Sequence, residues 1–111
     1  MKPLASDLKI AKQIKKELKE KLGDKLISVV LYGSRARGEA KRDSDMDLFL
    51  LTTKTIRAES PSAQAISDIS YKYFDRMGLF ISPISYSRYK YEKYRKYQPI
   101  LHWIDKEGVK L

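Results

Sequence analysis

The 111 residues carry 23 lysines and arginines against 14 aspartates and glutamates, a formal net charge of +9 at pH 7, with no cysteine and one histidine. Without thiols there is no disulfide framework and no thiolate zinc site, and His102 alone cannot supply one, so any metal is expected on oxygen ligands. A 42% hydrophobic fraction beside 33% charged residues fits one soluble globular domain over residues 1–111. No apolar run approaches the about 20 residues of a membrane span, and Met1-Lys2-Pro3-Leu4 lacks a signal-peptide apolar core, so a cytoplasmic location and no membrane partner are expected. The positive charge favours anionic partners: a nucleoside triphosphate, a nucleic acid or an acidic protein face.

In chain order, Ser6 is placed to cap a first helix running to Leu22, with Leu8, Ala11, Ile14, Leu18 and Leu22 on one apolar stripe and Gly23 as its stop. The β-branched and apolar run Leu26 to Tyr32 reads as a strand, Gly33 to Ser44 as a loop containing one helical turn, and Met46 to Thr52 as a second strand. Ser60-Pro61 opens a second long helix in which Ile66, Ile69, Tyr73 and Met77 recur at helical spacing, and Gly78 ends it. Leu79 to Tyr86 reads as a third strand, and Pro83 within it, having no N–H, places that strand at a sheet edge or a bulge. Beyond Pro99 a last apolar group, Ile100, Leu101, Trp103 and Ile104, is expected to close the core. The fold class is α/β (α+β), a small mixed sheet with helices packed mainly on one face.

The chemistry concentrates between the first two strands. The strand ending at Tyr32 meets Gly33 and Ser34, where the backbone can approach a ligand closely, and a turn over residues 35–38 aims free N–H groups at an anion such as phosphate. Asp45 and Asp47 lie two residues apart at the start of the next strand, so both carboxylates project from one face. Like charges that close call for a cation, and hard oxygen ligands select Mg²⁺ or Mn²⁺ with substrate phosphates completing the shell. For turn and acids to meet, the two strands must be antiparallel neighbours. Arg35 and Arg37 flank the turn as candidates for phosphate, and alternate positions of a helical turn cannot both face one ligand, so at most one of the two is expected to touch it. Asp43 reads as a turn-forming acid outside the site.

Gly33-Ser34, ten intervening residues, then Asp45-Met46-Asp47, within Tyr32-Gly33-Ser34-Arg35-Ala36-Arg37-Gly38 and Ser44-Asp45-Met46-Asp47-Leu48, resembles the signature of the minimal nucleotidyltransferases (MNT) of the DNA polymerase β-like superfamily. The resemblance extends over nearly the whole chain, to a closing Ile104 to Val109 segment. It implies the polymerase β-like nucleotidyltransferase fold, Gly33 and Ser34 on nucleotide phosphates, and Asp45 and Asp47 as catalytic metal ligands. The activity it implies is transfer of a nucleoside monophosphate, AMP from ATP, to a hydroxyl acceptor. It further implies a HEPN-domain toxin as partner, neutralised by adenylylation or by binding alone.

One departure stands out. Active members of that family carry a third carboxylate on a later strand, and Leu79 to Ser85 contains no acid; Ser82 stands in its place, with Asp75 and Glu92 only flanking the strand. The segment Tyr86 to Tyr97 interleaves tyrosines with lysines and arginines as single-stranded nucleic-acid binders do. Tyr91, Tyr94, Tyr97 and Leu101 also fall at helical spacing, however, and a half-buried helix face is the favoured reading over a nucleic-acid module.

Overall fold

The computed structural model describes residues 2–111 as a four-stranded sheet covered on one face by two long helices and on the other by two short ones. The elements run α1 (Ala5–Leu22), β1 (Leu26–Tyr32), β2 (Met46–Thr52), α2 (Pro61–Met77), β3 (Ile81–Ser87), α3 (Arg88–Tyr94), α4 (Pro99–Glu107) and β4 (Val109–Lys110). Strand order is β3-β2-β1-β4. β1 is antiparallel to both neighbours, while β2 and β3 are parallel, joined by the α2 crossover.

Alternation along the strands divides the core in two. Val29 and Leu31 of β1 and Met46, Leu48 and Leu50 of β2 face α1 and α2, joining Ala11, Ile14, Leu18, Leu22, Ile69 and Tyr73. Val30, Tyr32, Phe49 and Leu51 face the other way, against Leu101 and Ile104 of α4 and Tyr91 and Tyr94 of α3. β1 and β2 are near-continuous apolar runs because both of their faces are covered.

Both long helices end where their glycines lie. Gly78 caps α2 in the left-handed region at φ 67°, and at its other end Ser60 Oγ accepts the Ala63 N–H, with Pro61 in the first turn. The start of α1 departs from expectation. Leu4, extended, occupies the N-cap position without a side-chain hydrogen bond, and Ser6 lies inside the first turn. Asp7, in the same first turn, is drawn inward and buried against Arg35 at 2.7 Å.

β3 starts at Ile81 rather than Leu79, since Leu79 turns into the core and Phe80 stacks on Phe74 outside it, ring centroids 4.3 Å apart. It is an edge strand, as Pro83 requires. The Phe80 carbonyl accepts the Met46 N–H at 2.8 Å, so by alternation the backbone of residue 83 points away from β2, toward the open edge. Met77 and Trp103, read as core residues from their spacing, are about half exposed, and Ile100 also reaches solvent. β4 is too short to show a pattern in sequence; it adds a fourth strand by pairing Lys110 with Val30.

Candidate active site

The Gly33 turn and the acid pair meet at one end of the sheet. β1 pairs with β2 so that Tyr32 lies opposite Asp47, and β2 pairs with β3 so that Asp47 lies opposite Ser82. Tyr32, Asp47 and Ser82 thus form one row across three strands, on the face covered by α4. The antiparallel arrangement inferred from turn and acids is the one observed.

Gly33 has φ 77°, and a Cβ built on it would collide with Asp47 Oδ2. Backbone conformation and the neighbouring carboxylate therefore both exclude a side chain at this position. The turn beyond it closes on itself: the Ala36 and Arg37 N–H groups bond the Gly33 carbonyl at 3.1 and 3.3 Å, and the Glu39 N–H bonds the Ser34 carbonyl at 3.0 Å. The N–H groups of Ser34 and Arg35 have no such partner among the described residues and remain the donors available to an anion.

The two arginines separate cleanly. Arg35, one of the two candidates for phosphate, is buried and turned away from the cleft: Nη1 pairs with Asp7, while Nη2 and Nε donate to the Ser44 carbonyl at 2.7 and 3.1 Å. Its work is to tie the loop to α1 and to the segment just before Asp45, so the expectation of Arg35 on phosphate is corrected. Arg37 lies in the cleft, paired with Glu39 at 2.7 Å and with Glu107 of α4 at 3.0 Å.

Asp45 is exposed and Asp47 half-buried. Burial first, and then the negative charge of Asp45, push the Asp47 carboxyl above its ordinary range, and Arg37 partly opposes the rise. Burial and then Asp47 likewise raise the Tyr32 phenol. Two carboxylates set two residues apart on one face, one of them half-buried, suit a hard divalent cation. Among the described residues no third acidic or imidazole side chain joins them. Ser82 holds the neighbouring register position where a further acid would complete the set.

Beside Asp47 lies a cleft of about 320 Å³ lined by Tyr32, Gly33, Arg37, Trp103 and Glu107. The sequence pattern assigns Trp103 to the core and gives Glu107 no role, so neither is expected at the site. The available signal was their spacing: Leu101 and Ile104 point inward, which leaves residues 103 and 107, four apart, on a common outer face of α4.

The chain belongs to the nucleotidyltransferase domain family, whose description matches residues 11–110. It is similar to two proteins of Methanocaldococcus jannaschii, "Putative protein adenylyltransferase MJ1305" and "Putative protein adenylyltransferase MJ0141". Identity to the first is 39% over 60% of this chain and 45% of that protein, so the match spans less than half its length. Identity to the second is 35% over 73% of this chain and 80% of that protein. In fold it resembles a crystal structure of a mutant of the toxin-antitoxin MntA-HpeT, with a TM-score of 0.63 at 18% identity over 90% of this chain and 70% of that one. It also resembles a crystal structure of a toxin-antitoxin with AMP-PNP, with a TM-score of 0.59 at 18% identity over 88% and 69% of the two chains.

Proposed function

We propose that residues 1–111 act as one minimal nucleotidyltransferase domain that moves AMP from ATP to a hydroxyl group on a partner protein. The partner we propose is a HEPN-type toxin, with this chain as its antitoxin. The observation that carries the reading is the packing of Asp47 against Gly33, which sets the acid pair beside a phosphate-sized turn whose glycine lines the neighbouring cleft. The names of the Methanocaldococcus relatives support the adenylyl group, and the fold shared with toxin-antitoxin proteins, one of them with AMP-PNP, supports nucleotide and partner.

In this mechanism Gly33, Ser34 and the two free N–H groups receive the β- and γ-phosphates. Asp45 and Asp47 would hold Mg²⁺ or Mn²⁺, which would offset charge on the phosphate oxygens. Arg37, exchanging its carboxylate partners for the nucleotide, neutralises charge on the departing pyrophosphate. The acceptor oxygen bonds to the α-phosphorus, the bond to the bridging oxygen breaks, and pyrophosphate leaves. With serine at position 82 no carboxylate of β3 takes the hydroxyl proton, which passes to solvent or to the partner.

That same serine favours a second reading, a degenerate member that neutralises its partner by binding alone. Incubation with labelled ATP, Mg²⁺ and the purified partner separates the two. Label on the partner that disappears with Asp47→Asn supports transfer; neutralisation that survives Asp47→Asn without any label supports binding.

A further inference from the structure

At the end of the sheet opposite the acid pair, two adjoining grooves of about 780 and 230 Å³ share Thr53 on their rims. Five residues of β2 lie between Asp47 and Thr53, which puts them about 20 Å apart along the extended chain, so this region is distinct from the cleft described above. Lys25, Lys54 and Arg57 line the smaller groove, and Arg88 and Lys93 the larger. Topology gathers them: Lys25 precedes β1, Lys54 follows β2, and Arg88 follows β3, all at one edge.

None of these five cations has a carboxylate within ion-pair distance among the described residues. Glu92 is the one acid lining either groove, and its carboxylate faces Arg95 at 3.7 Å. Unneutralised positive charge held this densely repels itself and is relieved by a polyanion. Tyr89 stands 72% exposed within the larger groove, with Lys93 Nζ 5.9 Å from its ring centre. Its outer face is free for a flat partner.

We propose that this double groove binds single-stranded nucleic acid, the phosphates lying along Lys54, Arg57, Arg88 and Lys93 and one base stacking on Tyr89. Cations that track a backbone, together with an exposed aromatic face, are the recognition chemistry of unpaired strands. An acidic peptide would satisfy the charges but would leave Tyr89 without a role. The tyrosine-rich segment serves both purposes in the sequence pattern: Tyr91 and Tyr94 pack inward on the cluster of Phe49, Leu101 and Ile104, and Tyr89 is left outside.

The test is fluorescence anisotropy of a labelled 12-nucleotide oligouridylate with the full chain, across a salt series. Four phosphate contacts predict a loss of roughly 50-fold in affinity between 50 and 200 mM salt. Combined Lys54→Gln, Arg57→Gln and Lys93→Gln substitution is expected to weaken binding more than about tenfold, and Tyr89→Ala about fivefold or more, with Tyr89→Phe retaining affinity. All four positions are exposed, so circular dichroism should report unchanged folding. Asp47→Asn should bind the oligonucleotide normally, which keeps this site separable from the nucleotidyltransferase reading. Absence of saturable binding at 50 mM salt, affinity unchanged by the glutamine substitutions, or equal competition by polyglutamate with no effect of Tyr89→Ala would each overturn the proposal.

Discussion

Arg35 Nη1 lies 2.7 Å from Asp7 Oδ1, both side chains buried, and this pair joins the loop between β1 and β2 to the first turn of α1. The same guanidinium holds the Ser44 carbonyl one residue before Asp45. The position of the acid pair therefore depends on an ion pair on the other face of the loop. Removing one partner of a buried pair strands the other charge, so Arg35→Ala is expected to cost about 3 kcal/mol or more of stability. Urea denaturation measures it. A milder change, Arg35→Lys, retains charge but not the forked donors, and should weaken Mg²⁺-dependent ATP binding in calorimetry more than it lowers the Tm.

Gly33→Ala meets two obstacles at once, a φ of 77° and the Asp47 carboxylate where its methyl group would go. A loss of about 1–3 kcal/mol in stability is expected from the backbone and displaced acid together. ATP binding should fall below detection in the same calorimetric experiment. Gly23→Ala is the control: its φ is 60°, but nothing stands within 4 Å of the added carbon, so it should destabilise without touching nucleotide binding.

Trp103 is the single tryptophan of the chain, half exposed at the mouth of the Gly33 cleft. Trp103 shares its cleft with Gly33, so this ring is the test of where the base of the proposed nucleotide lies. Intrinsic fluorescence should therefore change saturably on titration with ATP and Mg²⁺. Trp103→Ala should weaken ATP binding about fivefold or more if the base stacks, since one base on one aromatic ring is worth roughly 1–3 kcal/mol. Unchanged fluorescence alongside calorimetric binding would place the base elsewhere.

Alkaline pH should reveal the contact between α3 and α4. The Tyr91 phenol donates to Asp105, and burial first, then that hydrogen bond, push it from the ordinary 10.0 to about 12. Between those values the unfolded chain has released the proton and the native one keeps it, so this contribution to stability falls as pH rises above about 10. Tyr91→Phe removes that titration. The stability difference between native sequence and variant is expected to shrink from pH 9 to pH 12 in denaturation curves.

The parts legible in sequence are those with short-range causes. β1 and β2 have the bounds expected of them because each is an apolar run closed by glycine or polar residues. α2 is framed by Ser60-Pro61 and Gly78, caps whose geometry is local. The choice between Arg35 and Arg37 was not legible, since Asp7 lies 28 residues before Arg35 and only the packing of α1 brings it near. β4, two residues long, has no periodicity to read and exists because β1 offers a free edge. Trp103 read as core for a related reason: an aromatic beside Leu101 and Ile104 carries the same hydropathy whether it fills the interior or overhangs a cleft.

The outward-facing backbone of Pro83, midway along the open margin of β3, governs how this molecule can associate. A strand from another protein laid against that margin would find no donor where it needs one, and the growing ladder would break after a couple of rungs. Sheet extension from copy to copy is discouraged at its most accessible flank. Along this margin, recognition of another protein is written in side chains rather than in shared main-chain pairing, which leaves the choice of companion there open to single substitutions on the surface.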